Sequence, residues 1–404
     1  MSNAASNTQT PQRFSGEWET KQLKELGQFS KGRGIKRDDV SDEGLPCVRY
    51  GELYTRYQDY ILKIASRIPP SVAATALPIK KGDLLFAGSG ETAEEIGRCA
   101  AYLGEEQAYA GGDVIVLTPS GQNPIYLGHL MNSAIVSAQK ARMGQGDAVV
   151  HIYINNLAQV QVELPPITEQ NAIAETLSDM DGLLNALDAL IAKKRAIKQA
   201  AMQQLLTGKT RLSGFSGAWE TKRLGEITKI QKGSLITEKS VVPGPIPVIA
   251  GGQKPPYYHN TANRTGKTIT VSGSGAYAGF VAFHSQPIFA SDCSTISENS
   301  SFSIDFIYYF LVFNQEVIYK AQTGGAQPHI HPVDLMPLEV NLPELSEQKA
   351  IASVLSDMDS EIAALEQRRD KTHAIKQGMM QQLLTGRVRL SESRIIADDT
   401  DDAD

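Results

Sequence analysis

An internal duplication is the feature of this 404-residue sequence that most constrains its fold. Residues 164–212 and 342–390 align without a gap, and 28 of the 49 aligned positions are identical. A second match joins Gly16-x-Trp18 to Gly217-x-Trp219. Between these blocks the two halves agree only at scattered positions. The chain is therefore predicted to contain two variable modules, each followed by one copy of a shared repeat.

Both copies of the repeat are predicted to be long helices that pack on each other. Their apolar residues step by four and three, a spacing that keeps one narrow stripe facing a partner helix and is typical of a coiled coil. The stripe comprises Ile173, Leu177, Met180, Leu184, Leu187 and Ile191 in the first copy, and Ile351, Leu355, Met358, Ile362 and Leu365 in the second. Continuing the same spacing would place Lys194 and Lys198 in the stripe. We therefore expect the stripe to shift to Leu190, Ile197, Ala201 and Leu205 instead.

The variable modules are predicted to mix short strands with helices. Strands are expected near residues 82–87, 113–117, 267–271 and 280–283, and a buried helix over 306–319. The predicted fold class is therefore α+β, with two mixed α/β modules and two long helices. The predicted segments are a disordered arm 1–13, module one 14–164, repeat one 165–212, module two 213–341, repeat two 342–390 and an acidic disordered tail 391–404.

The charge distribution argues against DNA binding by this chain alone. The formal net charge is −6, and residues 391–404 contribute most of it, which leaves the body of the chain close to neutral. A protein that holds nucleic acid without partners usually shows a strongly basic surface.

Composition also indicates the compartment. The three cysteines (Cys47, Cys99 and Cys293) are scattered and form no C-x-x-C pair, so neither a disulfide framework nor a zinc site is predicted. No apolar run approaches the ~18 residues of a membrane span. A cytoplasmic protein without a membrane segment is expected.

Two motifs resemble those of S-adenosylmethionine-dependent methyltransferases. Phe86-Ala87-Gly88-Ser89-Gly90 matches their F-x-G-x-G pattern, and Lys254-Pro255-Pro256-Tyr257 is similar to their catalytic proline-proline-aromatic motif. However, Lys254 carries only donors and cannot accept a hydrogen bond from a target amine. The glycine motif also recurs as Gly273-Ser274-Gly275, which a shared structural turn would explain. A methyltransferase stays open as an alternative function, and so does a coiled-coil scaffold that does not bind DNA.

No other catalytic or metal-binding pattern is present in the sequence. Gly266-Lys267-Thr268 lacks the glycine that a phosphate-binding loop requires five residues earlier, where Thr261 stands. The seven histidines include no H-E-x-x-H spacing. We predict no catalytic residue and no metal site.

The order of modules and repeats resembles the specificity (S) subunit of type I restriction–modification systems. The residues that carry this resemblance are Leu164-Pro165, Glu169-Gln170, Ile173-Ala174 and Leu177, with Leu342-Pro343, Glu347-Gln348, Ile351-Ala352 and Leu355 in the second copy. The Gly-x-Trp segments and the L-L-T-G helix ends are also similar to that family. The resemblance covers about residues 14–390.

The resemblance implies a non-catalytic DNA reader. Each module would be a target recognition domain for one half of a bipartite, asymmetric DNA sequence. The two helices would pair antiparallel as a coiled-coil spacer of pseudo-twofold symmetry that sets the gap between the half-sites. Partners would be double-stranded DNA, two methyltransferase (M) subunits and restriction-translocase (R) subunits in a hetero-oligomer. S-adenosylmethionine, ATP and Mg would belong to those subunits, with no cofactor in this chain.

The candidate DNA-binding residues are chosen from basic and amide side chains, because arginine and lysine favour guanine whereas asparagine and glutamine favour adenine. The candidates are Lys31, Arg33, Lys36, Arg37, Arg142 and Gln145 in the first module, and Lys232, Lys254, Arg264, Lys267, Gln322 and Gln327 in the second. His151 and His329 occupy equivalent positions in the two modules. Since different targets need different readers, we predict that these histidines belong to the scaffold.

Overall fold

The computed structural model describes residues 14, 16–324 and 327–390, so the predicted arm (1–13) and acidic tail (391–404) lie outside the described residues. The chain divides into two compact units, Met1–Ala186 with Arg369–Asp404, and Leu187–Arg368. Each unit thus combines one variable module with part of both long helices.

The first unit contains a five-stranded sheet in the order β2-β11-β7-β9-β4, a four-stranded sheet in the order β5-β3-β10-β6, and the two-stranded pairs β1-β13 and β12-β8. Its strands are β1 Glu19–Gln22, β2 Gly27–Lys31, β3 Leu45–Val48, β4 Tyr60–Ile61, β5 Arg67–Ile68, β6 Leu77–Ile79, β7 Leu84–Ala87, β8 Ser89–Gly90, β9 Cys99–Tyr102, β10 Ala108–Ala110, β11 Val114–Pro119, β12 Val150–His151 and β13 Gln161–Leu164. Its helices within the module are α1 Leu23–Leu26, α2 Tyr50–Thr55, α3 Pro70–Ala73, α4 Pro124–Met131, α5 Ala134–Met143 and α6 Ile154–Leu157, with a 3-10 helix at Arg37–Asp39.

The central strand β7 packs on both of its faces. Successive strand residues point to opposite faces. Leu84 and Phe86 therefore pack in one hydrophobic cluster with α4, while Leu85 and Ala87 pack in another with α2. All four residues are fully buried, so the sheet is covered on both faces.

The second unit repeats this plan with fewer strands. Its sheets have the orders β15-β21-β18-β19, β17-β16-β20 and β14-β22. The strands are β14 Glu220–Arg223, β15 Gln231–Lys232, β16 Pro243–Ile249, β17 Tyr258–His259, β18 Thr268–Ser272, β19 Val281–His284, β20 Phe289–Ala290, β21 Cys293–Ser297 and β22 Glu339–Leu342. The helices of this module are α8 Leu224–Ile227, α9 Ile304–Phe313, α10 Gln315–Lys320 and α11 Pro332–Leu335, with a 3-10 helix at Glu238–Ser240. The predicted strands are confirmed in both modules, and the predicted helix over 306–319 is present as α9 and α10.

The two repeats form the long helices α7 (Ile167–Leu205) and α12 (Leu345–Leu383), each of 39 residues. In the first unit, Lys376 of α12 pairs with Asp181 of α7 at 2.6 Å, and Arg389, which follows α12, pairs with Glu169. A lower residue number on α7 thus matches a higher one on α12. The same holds in the second unit, where Lys194 pairs with Glu361 at 2.6 Å and Lys198, further along α7, pairs with Asp359, which is earlier on α12. The helices are antiparallel within each unit.

The apolar stripe is confirmed up to Ile191. The expected shift beyond it is wrong at Leu190 and Ile197, whereas Ala201 is half-buried and Leu205 is buried as expected. Every residue assigned to the stripe is buried or half-buried. In contrast, Leu190 and Ile197 are 38% and 44% exposed. The stripe continues through Lys194 and Lys198, which are half-buried and pair with Glu361 and Asp359 on α12. Lysine fits there because its aliphatic stem covers apolar surface while the ammonium group reaches a carboxylate.

The described part of the chain includes no helix that is both long and apolar enough for a bilayer. All three cysteines are buried free thiols.

Candidate functional site

The Gly-Ser-Gly motif of the first module forms a structural turn. The Ser89 hydroxyl lies 3.0 Å from Asp113 Oδ2 and 2.9 Å from His151 Nδ1, and Ser89 is 2% exposed. In a hydrolytic triad the histidine lies between the serine and the carboxylate, and it takes the serine proton. Here the serine lies between the other two and donates to Asp113. This arrangement holds loops together and activates no nucleophile.

The second module repeats this turn. Ser274 donates to Asp292, and Ser274 pairs with His329 through the backbone. The backbone bonds also correspond. Gly88 N donates to Asp113 O at 2.7 Å, and Gly273 N donates to Asp292 O at 3.0 Å. The interpretation of both glycine motifs as a shared scaffold is therefore supported by matching contacts.

Four basic candidates of the first module lie on the segment that ends β2 and follows it. Lys31, Arg33, Lys36 and Arg37 are all exposed. Lys31 Nζ lies 3.6 Å from Asp113 Oδ1, which places this lysine beside the Ser89 turn. Arg33 instead donates to the Thr75 carbonyl at 3.2 Å.

Two further candidates of the first module lie near the same turn. Gln145 is exposed and exchanges backbone hydrogen bonds with His151 at 2.9 and 2.8 Å. Arg142 is exposed at the end of α5. The structure thus brings Lys31 and Gln145 to one polar cluster, built from Asp113, Ser89 and His151.

The candidates of the second module separate into two groups. Lys232, Lys254 and Gln327 are exposed. Arg264, Lys267 and Gln322 use their donors within the protein. Lys267 Nζ lies 2.8 Å from Asp305 Oδ2, and Gln322 Nε2 donates to the Ala278 carbonyl at 2.6 Å.

Arg264 makes three hydrogen bonds inside the second module. Its guanidinium donates to Thr295 Oγ1 at 2.9 Å, to the Asn263 carbonyl at 2.8 Å and to the Lys232 carbonyl at 3.1 Å. These bonds attach the Lys232 strand to the sheet, so Arg264 positions the backbone of another candidate.

The ends of the long helices are joined by two equivalent ion pairs that the sequence reasoning missed. Glu169 accepts two bonds from Arg389, at 2.9 and 2.5 Å, and Glu347 accepts two from Arg211, at 2.5 and 2.6 Å. Both glutamates are fully buried. Trp219 also donates to Glu347, at 3.2 Å. The signal was available, because both arginines are identical in the repeats and follow the L-L-T-G end.

The glutamine of the Glu-Gln motif attaches each module to its helix. Gln170 donates to the Pro165 carbonyl at 2.9 Å and accepts from the backbone of Asn123, the residue that caps α4, at 3.1 Å. Gln348 donates to Pro343 at 2.8 Å and accepts from Ser303, the cap of α9, at 2.9 Å. One glutamine thus fixes the start of the long helix and the start of a module helix.

A second ion pair is repeated in the two units, and in each unit it meets a different residue of the module. Asp181 pairs with Lys376 and Asp359 pairs with Lys198. In the second unit, Tyr309 of α9 donates to Asp359 at 2.9 Å.

In the first unit the equivalent position is His129 of α4. It lies 2.8 Å from Asp59 and 3.8 Å from Asp181, and it is fully buried. Burial alone would raise the pKa of Asp59, but hydrogen bonds from His129 and Asn132 and the charge of Lys376 lower that pKa well below its ordinary value. Asp59 is therefore ionised when the module is docked on the helices.

Among the described residues, no group of three or more His, Cys, Asp or Glu side chains is arranged to hold a metal ion. The fold and the site define a duplicated chain in which each unit attaches its module to an antiparallel pair of helix segments through the same repeated contacts.

Comparisons with known proteins agree with this class. The family of the type I restriction modification DNA specificity domain matches residues 15–199 and again residues 217–373. The chain therefore belongs to this family.

Relatives and solved structures are consistent with the assignment. The Methanocaldococcus jannaschii type I restriction enzyme MjaVIII specificity subunit is 24% identical over 281 residues, which span 61% of this chain and 66% of that protein. A second protein of that organism, MjaX, is provisionally described as a type I restriction enzyme specificity subunit. It is 23% identical and covers 93% of this chain and 94% of its own length.

The crystal structure of the S subunit from M. genitalium superimposes with a TM-score of 0.64 at 16% identity, over 91% of this chain and 96% of that one. A chain from a study of complex assembly and conformational transition in a type I R-M system superimposes with a TM-score of 0.58 at 17% identity, over 94% and 100% of the two chains. These two structures share the fold.

Proposed function

We propose that this chain is the non-catalytic DNA-recognition subunit of a type I restriction–modification complex, and that each module reads one half of a bipartite target. Family membership supports a specificity subunit. The observation that carries the two-reader function is the repetition of the attachment contacts. Glu169–Arg389 and Glu347–Arg211 hold two modules of different content in the same way. A single active site would not require two different copies.

The partners are double-stranded DNA, two methyltransferase subunits and restriction-translocase subunits. S-adenosylmethionine, ATP and Mg act in those subunits. The nearly neutral body of this chain suits such a division of labour, since phosphate contacts supply most of the salt-dependent affinity whereas base contacts supply the sequence preference. The paired helices serve as the spacer that sets the distance between half-sites.

The test uses the full chain together with its methyltransferase partner in a host, with methylated adenines mapped by single-molecule sequencing. The unaltered chain should give a bipartite, asymmetric motif. A variant in which residues 215–341 replace residues 14–163 should give a motif with two copies of the second half-site. Unchanged methylation in that variant would contradict the two-reader function.

Two further measurements address the alternatives. Binding of S-adenosylmethionine to the isolated chain in calorimetry would support a methyltransferase. Complexes with the methyltransferase subunit that bind all DNA sequences equally would support a scaffold.

A further inference from the structure

One short segment of each module is attached by the same contacts in both modules, while its exposed side chains differ. It comprises residues 33–38 in module one and residues 234–239 in module two. In each module it follows a Lys-Gly pair whose lysine is the last residue of a strand, β2 or β15. We call these two stretches the matched segments, and all of their residues are described.

The glycine before each matched segment lies against the main chain of its module. A Cβ added at Gly32 would lie 1.9 Å from the Gly111 carbonyl oxygen. A Cβ added at Gly233 would lie 2.0 Å from the Ser291 carbonyl oxygen. Only glycine allows so close an approach of two backbones. Both segments therefore begin at a fixed point.

The first residue of each matched segment is bonded to an equivalent strand. Arg33 N donates to the Ala110 carbonyl at 3.3 Å, on the strand β10 that pairs in parallel with β3. Ser234 N donates to the Ala290 carbonyl at 2.9 Å, on the strand β20 that pairs in parallel with β16. The two segments thus leave the sheet in the same direction along the same kind of strand pair.

The far end of each matched segment is also fixed in the same way. Lys36 N donates to Asp39 Oδ2 at 2.7 Å, and Thr237 N donates to Ser240 Oγ at 3.1 Å. In both modules the acceptor lies three residues further on and closes the first turn of a 3-10 helix. The backbone is therefore anchored at both ends of both segments.

The side chains at equivalent positions of the matched segments differ, and they are exposed. Ile35 and Ile236 are the only residues that the two segments share, and they are buried and half-buried, respectively. The five exposed pairs that differ are Arg33/Ser234, Gly34/Leu235, Lys36/Thr237, Arg37/Glu238 and Asp38/Lys239. Readers of two unlike half-sites need this combination, since shared contacts position the segment and different side chains distinguish the bases.

In module two, Leu235 presents an apolar side chain to solvent from a fixed backbone. It is 81% exposed, so the module covers little of it. The next residue is held, because Ile236 N donates to Ser291 Oγ at 3.2 Å. Module one has Gly34 at this position, where a Cβ would lie 2.8 Å from Thr75 Oγ1. An exposed leucine at a fixed position suits an apolar group of a ligand, such as the methyl group of thymine.

In module one, the matched segment presents two cations instead. Lys36 and Arg37 are exposed, and neither pairs with a carboxylate among the described residues. By contrast, Arg264 and Lys267 of module two use their donors within the protein. Lysine and arginine donate to O6 and N7 of guanine, so the free donors of Lys36 and Arg37 suit that base.

We propose that the matched segments are base-reading elements of the two modules. This inference rests on the proposed function and names residues that perform part of it. Lys36 and Arg37 read guanine in the half-site of module one. Leu235 contacts the methyl group of thymine in the half-site of module two.

The experiment on module one uses the full chain in complex with its methyltransferase partner. Lys36→Met and Arg37→Met remove the donors and keep most of the aliphatic stem. Each should lower discrimination at one or two positions of one half-site by roughly tenfold to hundredfold, as measured by methylation of targets with single-base substitutions. The other half-site should be unchanged, which also shows that the variant is folded.

The experiment on module two replaces each thymine of the other half-site in turn by deoxyuridine, which lacks the methyl group. The complex with the unaltered chain should methylate one of these targets more slowly than the thymine target. The complex with Leu235→Ala should methylate the two targets at the same rate.

Each variant has a matched control in the same module. Lys63→Met removes an exposed cation outside the matched segment of module one. Val333→Ala shortens a side chain of module two that is 63% exposed. Neither control should change the base preference of either half-site or the response to deoxyuridine.

For either module, the assignment is overturned if the variants discriminate bases as the controls do while exchange of a whole module still changes the target. A loss of methylation that is equal on all targets also overturns it, because phosphate contacts carry no sequence information. If module exchange leaves the target unchanged, the proposed function itself fails.

Discussion

At the scale of single residues, buried charges show which contacts the fold depends on. Glu347 is fully buried, and its carboxylate is neutralised by Arg211 and receives a further bond from Trp219. Lys140 is also almost fully buried, but its ammonium group donates to the Gly97 carbonyl at 2.6 Å. The opposite charge of Arg211 compensates for the burial of Glu347. The charge of Lys140 is compensated only by the dipole of a backbone carbonyl. The two residues should therefore respond differently to substitution and to pH.

Arg211→Met is expected to destabilise the second unit by about 3 kcal/mol, because it leaves a buried carboxylate without its cation. Chemical denaturation would measure the change, and hydrogen exchange at the start of α12 would locate it. Lys209→Met is the matched control, since Lys209 is an exposed cation two residues away and should cost less than about 0.5 kcal/mol. Equal losses in the two variants would contradict this role for Arg211.

Lys140 should make stability depend on pH in the alkaline range. Burial lowers the pKa of Lys140 from 10.5 to about 8. Between these two pH values the unfolded chain binds more protons than the folded chain, so the free energy of unfolding rises with pH. Below pH 8 the cost of burying the charge is fully present. The unfolding free energy of the wild type minus that of Lys140→Met should therefore increase by about 3 kcal/mol from pH 7.5 to pH 10.5.

Thermal or chemical unfolding at several pH values would check this prediction. Lys24→Met, at an exposed lysine of the same unit, should show no such trend. If the difference in unfolding free energy between the wild type and Lys140→Met stays constant with pH, the prediction is contradicted.

At the scale of elements, the long helices show how a coiled-coil stripe can include charged residues. The apolar spacing predicts the stripe correctly up to Ile191, because in this part of α7 burial of apolar side chains determines which residues face α12. Beyond that point, Lys194 and Lys198 stay in the stripe because carboxylates of α12 meet them. A sequence pattern counts lysine as polar, and only the facing helix shows that its charge is neutralised.

Two leucines of α7 provide a direct comparison. Leu187 is 4% exposed and Leu190 is 38% exposed. Leu187→Ala should cost about 2–4 kcal/mol through lost burial and the cavity left behind. Leu190→Ala should cost less than about 0.5 kcal/mol, since alanine also favours a helix. Equal unfolding free energies for the two variants would indicate that Leu190 belongs to the packed stripe, as the sequence predicts.

At the scale of the whole molecule, the repetition of the same attachment contacts in both units connects the fold to the proposed function. Each unit contains a module, part of α7 and part of α12. The residues repeated in both units, such as Glu169 and Glu347, serve attachment, whereas the attached modules agree only at scattered positions. Under the proposed function, the spacing between half-sites is a property of the helices and is separate from base recognition.

A heptad inserted after residue 190 and another after residue 368 should lengthen the gap between the recognised half-sites. One heptad adds about 10 Å of helix, which corresponds to at most about three base pairs. Neither half-site should change. Mapping of methylated adenines would measure the gap. An insertion in α7 alone is the control, and it should disturb the pairing of the helices and lower their stability.

A gap that stays constant in the double insertion, while the complex with the methyltransferase partner still methylates its target, would contradict the spacer function. Altered half-sites in the same variant would show that the helices also influence base recognition.

The sequence by itself determined the duplication, the two long helices, the main strands and the family. These features depend on repeated residues and on the spacing of apolar side chains, which are properties of the chain read in order. The buried Glu169 and Glu347 could have been found in the same way, since their arginine partners repeat as well.

Only the tertiary structure decided which residues pair with each buried charged group. Asp59, His129 and Lys376 are distant in sequence, and their contact depends on how α4 and the long helices pack. The same is true of Arg264 and Lys267, whose charges meet partners within the second module. Electrostatic and hydrogen-bond partners are set by distances of a few ångströms in space, and periodicity along the chain contains no such information.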